Sequence, residues 1–491
     1  MGIVIKQSIT NTIITFIGFA LGAANVLFMY PYFLGKDYVG ITGYVLSTAN
    51  ILYPLMSFGI QNTLIKFFNE HNKTEEDLNK YMTYMLIVPL FFVIPVFILF
   101  YVFYDAIAAY ESLENPIVYN FVWMIPIIGL FMGYFEIFYA WLRAHMKSVF
   151  GSFVKEVFVR LLITGLLFAV YYKQLSQTTF IYSLLLVYGV SLLMIIYSAN
   201  RVKKIRLHFK VPKQSKAILT YTVFIILSAS VANMLLDIDK YMINKYLKID
   251  NIAFYNVAIF IALVISVPMR AMHQITYPIT AKLMSEQKWE ELNMLYKKSS
   301  IGLQVIGGLM YVGILVNLNQ LYDLLPDEGY RQGIQVVFII GLSKYFDLLL
   351  GINNAIIFNS KYYKMVLTLG VLLVIIIVTL NSYFIPKFGL NGAAIATLIA
   401  ITLYSLAKLF FVVFKMKLFP FTTKNLFSAL ITIVTFFIFY FWEFTFHPVA
   451  NIILKSLLVS VFYVSTTYFF KISSDINYVI KNSLQKFVLF R

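Results

Sequence analysis

Apolar residues in this chain run on for whole stretches, and polar residues gather in the short gaps between. Fourteen stretches, at about 8–33, 38–65, 81–104, 116–142, 149–172, 178–199, 217–246, 251–281, 299–322, 331–358, 364–385, 390–414, 425–446 and 450–470, are long enough to cross a bilayer as helices. The densest polar gap is Arg201–Lys216, RVKKIRLHFKVPKQSK, in which seven of sixteen residues are Lys or Arg and none is acidic. A loop of this kind between spans marks a cytoplasmic face. The pattern predicts an all-α integral membrane protein of about fourteen transmembrane helices.

Composition agrees with the pattern. Hydrophobic residues make up 60% and charged residues 12%, with a mean hydropathy of +0.81, far from soluble averages. The net charge of +17 does not imply nucleic acid, because the charges sit in short loops where lipid headgroups and the positive-inside bias account for them. There is no cysteine, so disulfides and thiolate metal sites are excluded. The first apolar segment has only Lys6 before it and no small-residue cleavage site, and reads as a retained span rather than a signal peptide.

Charge also orients the helices. With both termini and the even-numbered loops assigned to the cytoplasm, those segments hold 26 Lys and Arg, against six in the opposite loops. The longest opposite loop, Asp105–Asn115, is about eleven residues and acidic. The charged loops 66–80 and 282–298 are expected to form short surface helices.

The two halves resemble each other. FLGKDYVGI (33–41) opens the second span and YLKIDNIAF (246–254) the eighth; at a shift of 213 residues, Leu34 meets Leu247, Asp37 meets Asp250 and Gly40 meets Ala253. Pro54 and Pro268 follow in the two spans. The expected organisation is an N-terminal six-helix lobe (1–200), a basic linker (201–216), a second six-helix lobe (217–415), and two added helices with a basic tail (416–491). Six is even, so the repeat is parallel.

Polar groups inside spans are costly and therefore informative. Asn11, Thr15, Gly18, Gly22 and Asn25 share one stripe of the first span; Asn50, Pro54, Ser57 and Gln61 share one of the second. The seventh gives Asn233, Asp237, Lys240 and Asn244, and the eighth Ser266, Arg270, His273 and Gln274. These seams suit four helices lining a central cavity, or small and polar residues that glue helices together. Asp237 and Lys240 could simply pair across a turn, and Arg270 could snorkel. Lys344 and Asp347 in the tenth span could neutralise each other. Glu136 with Arg143, and Glu156 with Arg160 beside Lys155, read either as a structural ion-pair network or as a site. Lys155 and Lys408 are expected to snorkel, and Asp239 points away from the Asp237 seam.

Nothing here looks catalytic. There is no nucleotide-binding P-loop, no GxSxG, no HExxH, and the five histidines show no metal spacing. No cofactor is expected.

Three stretches carry a family resemblance. LGKDYVGITGYVLSTANILYPLMSFGIQNTLIKFF (34–68) resembles the second-helix signature of the polysaccharide exporters, the Wzx-like flippases, in the superfamily that also holds multidrug extruders and lipid II flippases. LLDIDKYMINKYLKIDNIAFYNVA (235–258) and KFGLNGAAIATLIA (387–400) are similar to the junction of the seventh and eighth helices and to the start of the twelfth. The resemblance implies a flippase for a polyprenyl-pyrophosphate-linked oligosaccharide in the bacterial cytoplasmic membrane, working by alternating access with H+ or Na+ as a possible coupling ion and a polysaccharide polymerase as a possible partner. It also implies a cavity lined by the first, second, seventh and eighth helices. Chemistry and helical phase then nominate Arg270, Lys240 and Lys344 for the anion, Asn25, Asn50, Gln61, Asn233 and Asn244 for sugar hydroxyls, and Asp237 or Asp347 for the ion. Among these charged candidates, Asp237 and Lys240 lie inside a stretch that carries the resemblance.

The rivals are a cation-coupled drug exporter, which would favour an acidic cavity, and a membrane glycosyltransferase or polymerase, which would need a larger outer loop. A scaffold protein would not need charged seams.

Overall fold

A computed structural model describes residues 2–489, with the side chains at 2–6, 8, 9, 224, 225, 227–236, 274, 363, 367 and 483–489 outside the description. Among the described residues every regular element is helical. Among the described residues, eleven helical segments are long and apolar enough to cross a membrane. Helix underlies each of the fourteen apolar stretches. The smaller count has three sources: the fifth stretch is broken into short helices, the eleventh and twelfth run on as one, and the seventh, helical over Ser215–Tyr246, contains side chains outside the described residues. The chain forms two compact units, residues 1–256 and 257–491.

In the first unit, α1 (Gly2–Ala24) passes through a π-helical turn (Asn25–Met29) into α2 (Tyr30–Phe33). Then come α3 (Lys36–Met56), α4 (Ile60–His71), α5 (Glu75–Val102), α6 (Tyr104–Glu111) and a 3-10 turn at Pro116–Phe121. After α7 (Met124–Ala144), the chain makes α8 (Ser148–Phe153), a second π-helical turn (Val154–Phe158) and α9 (Val159–Tyr171). It continues into α10 (Gln177–Val202), α11 (Ser215–Tyr246) and the start of α12 (Asp250–Leu263). The compact unit runs past the basic segment 201–216 because α11 packs along α3 and α4.

α3 is the axis of this unit, flanked by α7 and α11. It approaches the beginning of α12 closely, since a Cβ on Gly40 would collide with the Ile249 carbonyl and one on Gly43 would stand 2.6 Å from Asn256 Nδ2. These are the corresponding ends of the two repeated stretches. α3 runs through Pro54, whose missing N–H leaves the Asn50 carbonyl without its helical partner, and it ends at Met56, after which Phe58 and Gly59 take φ of 51° and 66°.

The charged loops do not form separate surface helices. Residues 66–80 are the end of α4 and the beginning of α5, because Thr74 accepts from the Asp77 N–H and three acids fill the first turn, restarting the helix at once. Residues 282–298 likewise belong to two long helices.

The second unit holds the rest of α12, then α13 (Val267–Ser285), α14 (Trp289–Leu315), α15 (Leu318–Asp323) and a 3-10 turn at Glu328–Gly333. α16 (Ile334–Leu349), α17 (Asn353–Asn359) and α18 (Tyr363–Met416) follow. α18 breaks at Gly389 (φ 58°, ψ −135°), where the pattern divides the eleventh stretch from the twelfth. The last helices are α19 (Thr423–Tyr440), α20 (Pro448–Phe469) and α21 (Ser474–Leu489). α19 and α20 pack on α14, where Gln304 Nε2 donates to the Asn425 carbonyl and Asn425 Nδ2 donates back to Gln304 Oε1, both at 2.8 Å.

Candidate functional site

The first unit encloses a cavity of about 320 Å³ walled by α1, α2, α3, α7, α9, α10 and the two π-helical turns. A π-helical turn carries one residue more than the α-ladder accommodates, which bulges the wall and re-aims its side chains; such turns concentrate at functional sites. Here one turn presents Asn25 and the other presents Lys155 and Glu156. Gly18 permits the approach, since a Cβ there would stand 2.5 Å from the Glu156 carbonyl oxygen.

Two carboxylates and three cations occupy this region. Lys155 Nζ donates to Glu136 Oε1 at 2.5 Å, and Arg143 stands 3.9 Å from the other oxygen. Arg160 Nη1 donates to the Glu156 carbonyl at 2.5 Å and to Oε2 at 2.8 Å. Asn25 Nδ2 donates to the Arg160 carbonyl at 3.2 Å, while its Oδ1 accepts from Thr164 at 2.9 Å. Exposure separates the signs: the Lys155 side chain is 46% exposed and that of Glu136 only 12%. The charges that line the cavity, Lys155 and Arg160 against Glu136 and Glu156, balance in number, and the Lys155 ammonium is the most exposed of them while Glu136 is the deepest.

The residues singled out by helical phase are only partly brought together. Asn25 and Asn50 both line the cavity. The first-span stripe serves both expected purposes, since Asn11 donates to Ser148 and Gly18 packs on the π-helical turn while Gly22 and Asn25 reach the cavity. Asp237 and Lys240 pair at 2.9 Å on α11, largely buried. Gln61 is buried on α4 outside the cavity, with Oε1 unpartnered. Asn244 is fully buried elsewhere: its Nδ2 donates to the Glu111 carbonyl at 3.0 Å and its Oδ1 accepts from Asn115 at 3.1 Å. The side chains of Asn233 and Gln274 lie outside the described residues. Asp239 is buried and accepts from the Tyr255 hydroxyl at 2.6 Å.

In the second unit Arg270 is exposed and Lys344 half-buried. Asp347 accepts from Ser405 at 3.2 Å and faces Lys408 Nζ at 3.9 Å. Lys408 does not snorkel: it is 2% exposed, donates to Asn354 Oδ1 at 3.1 Å and lies over the Tyr404 ring. Lys155 does not snorkel either, because Glu136 captures its ammonium. Among the described residues no cluster could hold a metal ion.

The family described as "Polysaccharide biosynthesis protein" matches residues 4–284, more than half of the chain. This chain belongs to that family. The match covers every residue of the unit-one cavity. No curated protein matches the chain in sequence. Among solved structures, the lipid II flippase MurJ in an inward closed conformation is similar at a TM-score of 0.73 and 16% identity, covering 94% of this chain and 99% of that one. An inward-facing multidrug resistance MATE family transporter of the MOP superfamily follows at 0.61 and 14%, covering 85% and 94%. A MOP superfamily transporter from Pyrococcus furiosus gives 0.55 and 16%, covering 84% and 95%. At these identities the likeness establishes the fold, a multi-pass membrane architecture.

Sequence reasoning underweighted the fifth span. Its charges look like local i,i+4 pairing, and the π-helical turn that aims them into a cavity leaves no periodic signature. The available signal was the count: Glu136, Lys155, Glu156 and Arg160 are four charges in two consecutive spans.

Proposed function

We propose that this protein is a flippase, not an enzyme, that carries a polyprenyl-pyrophosphate-linked oligosaccharide from the inner to the outer leaflet of a bacterial cytoplasmic membrane for O-antigen, capsule or exopolysaccharide synthesis. One observation carries the reading: the unit-one cavity, with the exposed Lys155 over the buried Glu136 and Arg160 beside them, in a polysaccharide biosynthesis family member folded like a lipid II flippase. A diphosphate competes with Glu136 and Glu156 for Lys155 and Arg160, and charge-assisted bonds to phosphate are the strong ones. Asn25 and Asn50 offer amides to sugar hydroxyls. Lys240, Arg270 and Lys344 are further anion contacts along the path, Gln61 and Asn233 further sugar contacts, and Asp237 or Asp347 takes a coupling H+ or Na+, while Asn244, held by Glu111 and Asn115, is set aside. Fourteen crossings with both termini cytoplasmic, twelve in two six-helix lobes joined by 201–216 and two more at 416–491, give the alternating-access frame. A polymerase is the expected downstream partner.

The MATE-like fold favours a second reading, cation-coupled drug export. Vesicles containing the protein and a fluorescent polyprenyl-pyrophosphate glycan separate the two. Leaflet transfer by the wild type, lost at matched expression in Lys155→Gln/Arg160→Gln, supports the flippase. Export of cationic dyes without glycan transfer replaces it with the drug exporter.

A further inference from the structure

Three connections of the second unit meet in a pocket of about 760 Å³ at one end of its helices: the turn between α13 and α14, the turn between α17 and α18, and the segment after α18. All three are even-numbered loops, the Lys- and Arg-rich set. Lys361, Lys415 and Lys417 line the pocket against one carboxylate, Glu290. Among the described residues none of the three lysines has an ion-pair partner, in contrast to neighbouring Lys288 and Lys298.

The walls are fixed independently of any ligand. Asn293 Oδ1 accepts from the Phe419 N–H at 3.0 Å, which holds the segment carrying Lys417 against α14. Asn359 Nδ2 donates to the Tyr277 carbonyl at 3.0 Å, and Tyr362 packs edge-on against Phe411. Lys417 itself closes α18 in the left-handed region at φ 57°. Trp289, 46% exposed, stands on the rim, where an indole suits the headgroup level of a bilayer. Unpaired lysines converging in a prebuilt pocket at the ends of membrane helices on the basic side are what a phosphate headgroup requires.

We infer that this pocket is a phosphate-ester site that takes a glycerophosphate group, separate from the unit-one cavity. The inference does not rest on the flippase reading, because binding and not transport is measured. The shared chemistry is supplied either by an anionic phospholipid or by a soluble glycerol phosphate, and the arms below distinguish them.

The full-length protein in detergent is titrated with phosphatidylglycerol, with phosphatidylcholine and with soluble glycerol 3-phosphate, and bound ligand is counted by native mass spectrometry. The variants are Lys361→Gln/Lys415→Gln/Lys417→Gln and a charge-matched control, Lys203→Gln/Lys204→Gln/Lys210→Gln, in the basic segment. At about fivefold per lysine, the pocket variant binds roughly a hundredfold more weakly while the control is unchanged. Loss confined to phosphatidylglycerol identifies the lipid as the source; loss of glycerol 3-phosphate binding as well identifies the soluble ester. Wild-type affinity in the pocket variant overturns the site, and so does an equal loss in the control, which would mean diffuse surface charge. Equal retention of phosphatidylcholine and phosphatidylglycerol overturns it too.

Discussion

Lys155 donates a 2.5 Å hydrogen bond to Glu136, and this bond ties the π-helical turn Val154–Phe158 to the middle of α7. The acid is the buried member and the base the accessible one. A ligand with a stronger anion can therefore reach the cation without first unburying the carboxylate.

The pair predicts an asymmetry in stability. Lys155→Ala leaves Glu136 with Arg143 alone, at 3.9 Å. Because Lys155 is nearly half exposed, screening discounts the loss, and about 1–2 kcal/mol is expected. Lys155→Met/Glu136→Gln removes both charges and melts closer to wild type. Thermal unfolding in detergent, arranged as a double-mutant cycle, checks this; additive single effects would show that the two do not interact.

Arg160 predicts a graded effect on transport. Its guanidinium serves the Glu156 carbonyl and carboxylate together, a fork that a lysine ammonium cannot reproduce as rigidly. Arg160→Lys should keep reduced transfer of a lipid-linked glycan, and Arg160→Gln should lose it by at least about tenfold, or 1.4 kcal/mol. Initial rates in vesicles at matched protein content decide it. Equal rates in both variants would mean that the charge is not used.

Gly18 and Gly165 provide a steric contrast. A Cβ on Gly18 would stand 2.5 Å from a backbone oxygen and 2.6 Å from Arg160 Nη1, whereas Gly165 has nothing within 4 Å. Gly18→Ala should cost about 1–3 kcal/mol by forcing the two helices apart. Gly165→Ala should stay within about 0.5 kcal/mol of wild type. The two melting temperatures, read side by side, check this difference, and equal shifts would show that helix separation at Gly18 costs nothing.

Much of this architecture was legible in the chain. Apolar run length located helix under all fourteen stretches, and the gap it left at 386–389, between the eleventh and the twelfth, holds the break that Gly389 makes in α18. The likeness between 33–41 and 246–254 gave no sign that these two segments meet, as they do with Gly40 against Ile249. Side-chain destinations were less legible. Helical phase gives the face a residue occupies, not what that face meets, so Asn244 looked like a cavity residue and is bound instead to Glu111 and Asn115. Lys408 looked like a snorkelling residue because hydropathy says nothing of a partner 61 residues earlier in the chain, at Asp347. The π-helical turns are irregularities in phase, so a periodic reading passes over them.

Glu111 predicts a second structural test, on the other side of α3. Its carboxylate accepts from the Tyr44 hydroxyl at 2.7 Å, the Tyr241 hydroxyl at 2.9 Å and Lys245 at 3.2 Å, joining α6 to α3 and α11. Glu111→Ala strands three donors and should cost about 2–4 kcal/mol. Glu111→Gln keeps an acceptor oxygen and should recover part of that. Limited proteolysis of the 103–121 segment, which these bonds hold down, should accelerate in the same order.

Asp347 and Lys408 predict unequal losses from one pair. Lys408 is 2% exposed and cannot reach water, while the Asp347 side chain is 29% exposed. Asp347→Asn therefore leaves a buried ammonium with Asn354 and the Tyr404 ring as its neighbours, and should cost about 3 kcal/mol. Lys408→Met leaves a carboxylate that retains Ser405 and gains water, and should cost about half as much. The order of the two melting temperatures is the test. If Lys408→Met proves the more damaging, the lysine's packing and not its charge dominates, and the pair is a poor candidate for ion coupling; if Asp347→Asn is worse, the ammonium depends on that carboxylate, as a charge-exchanging pair requires.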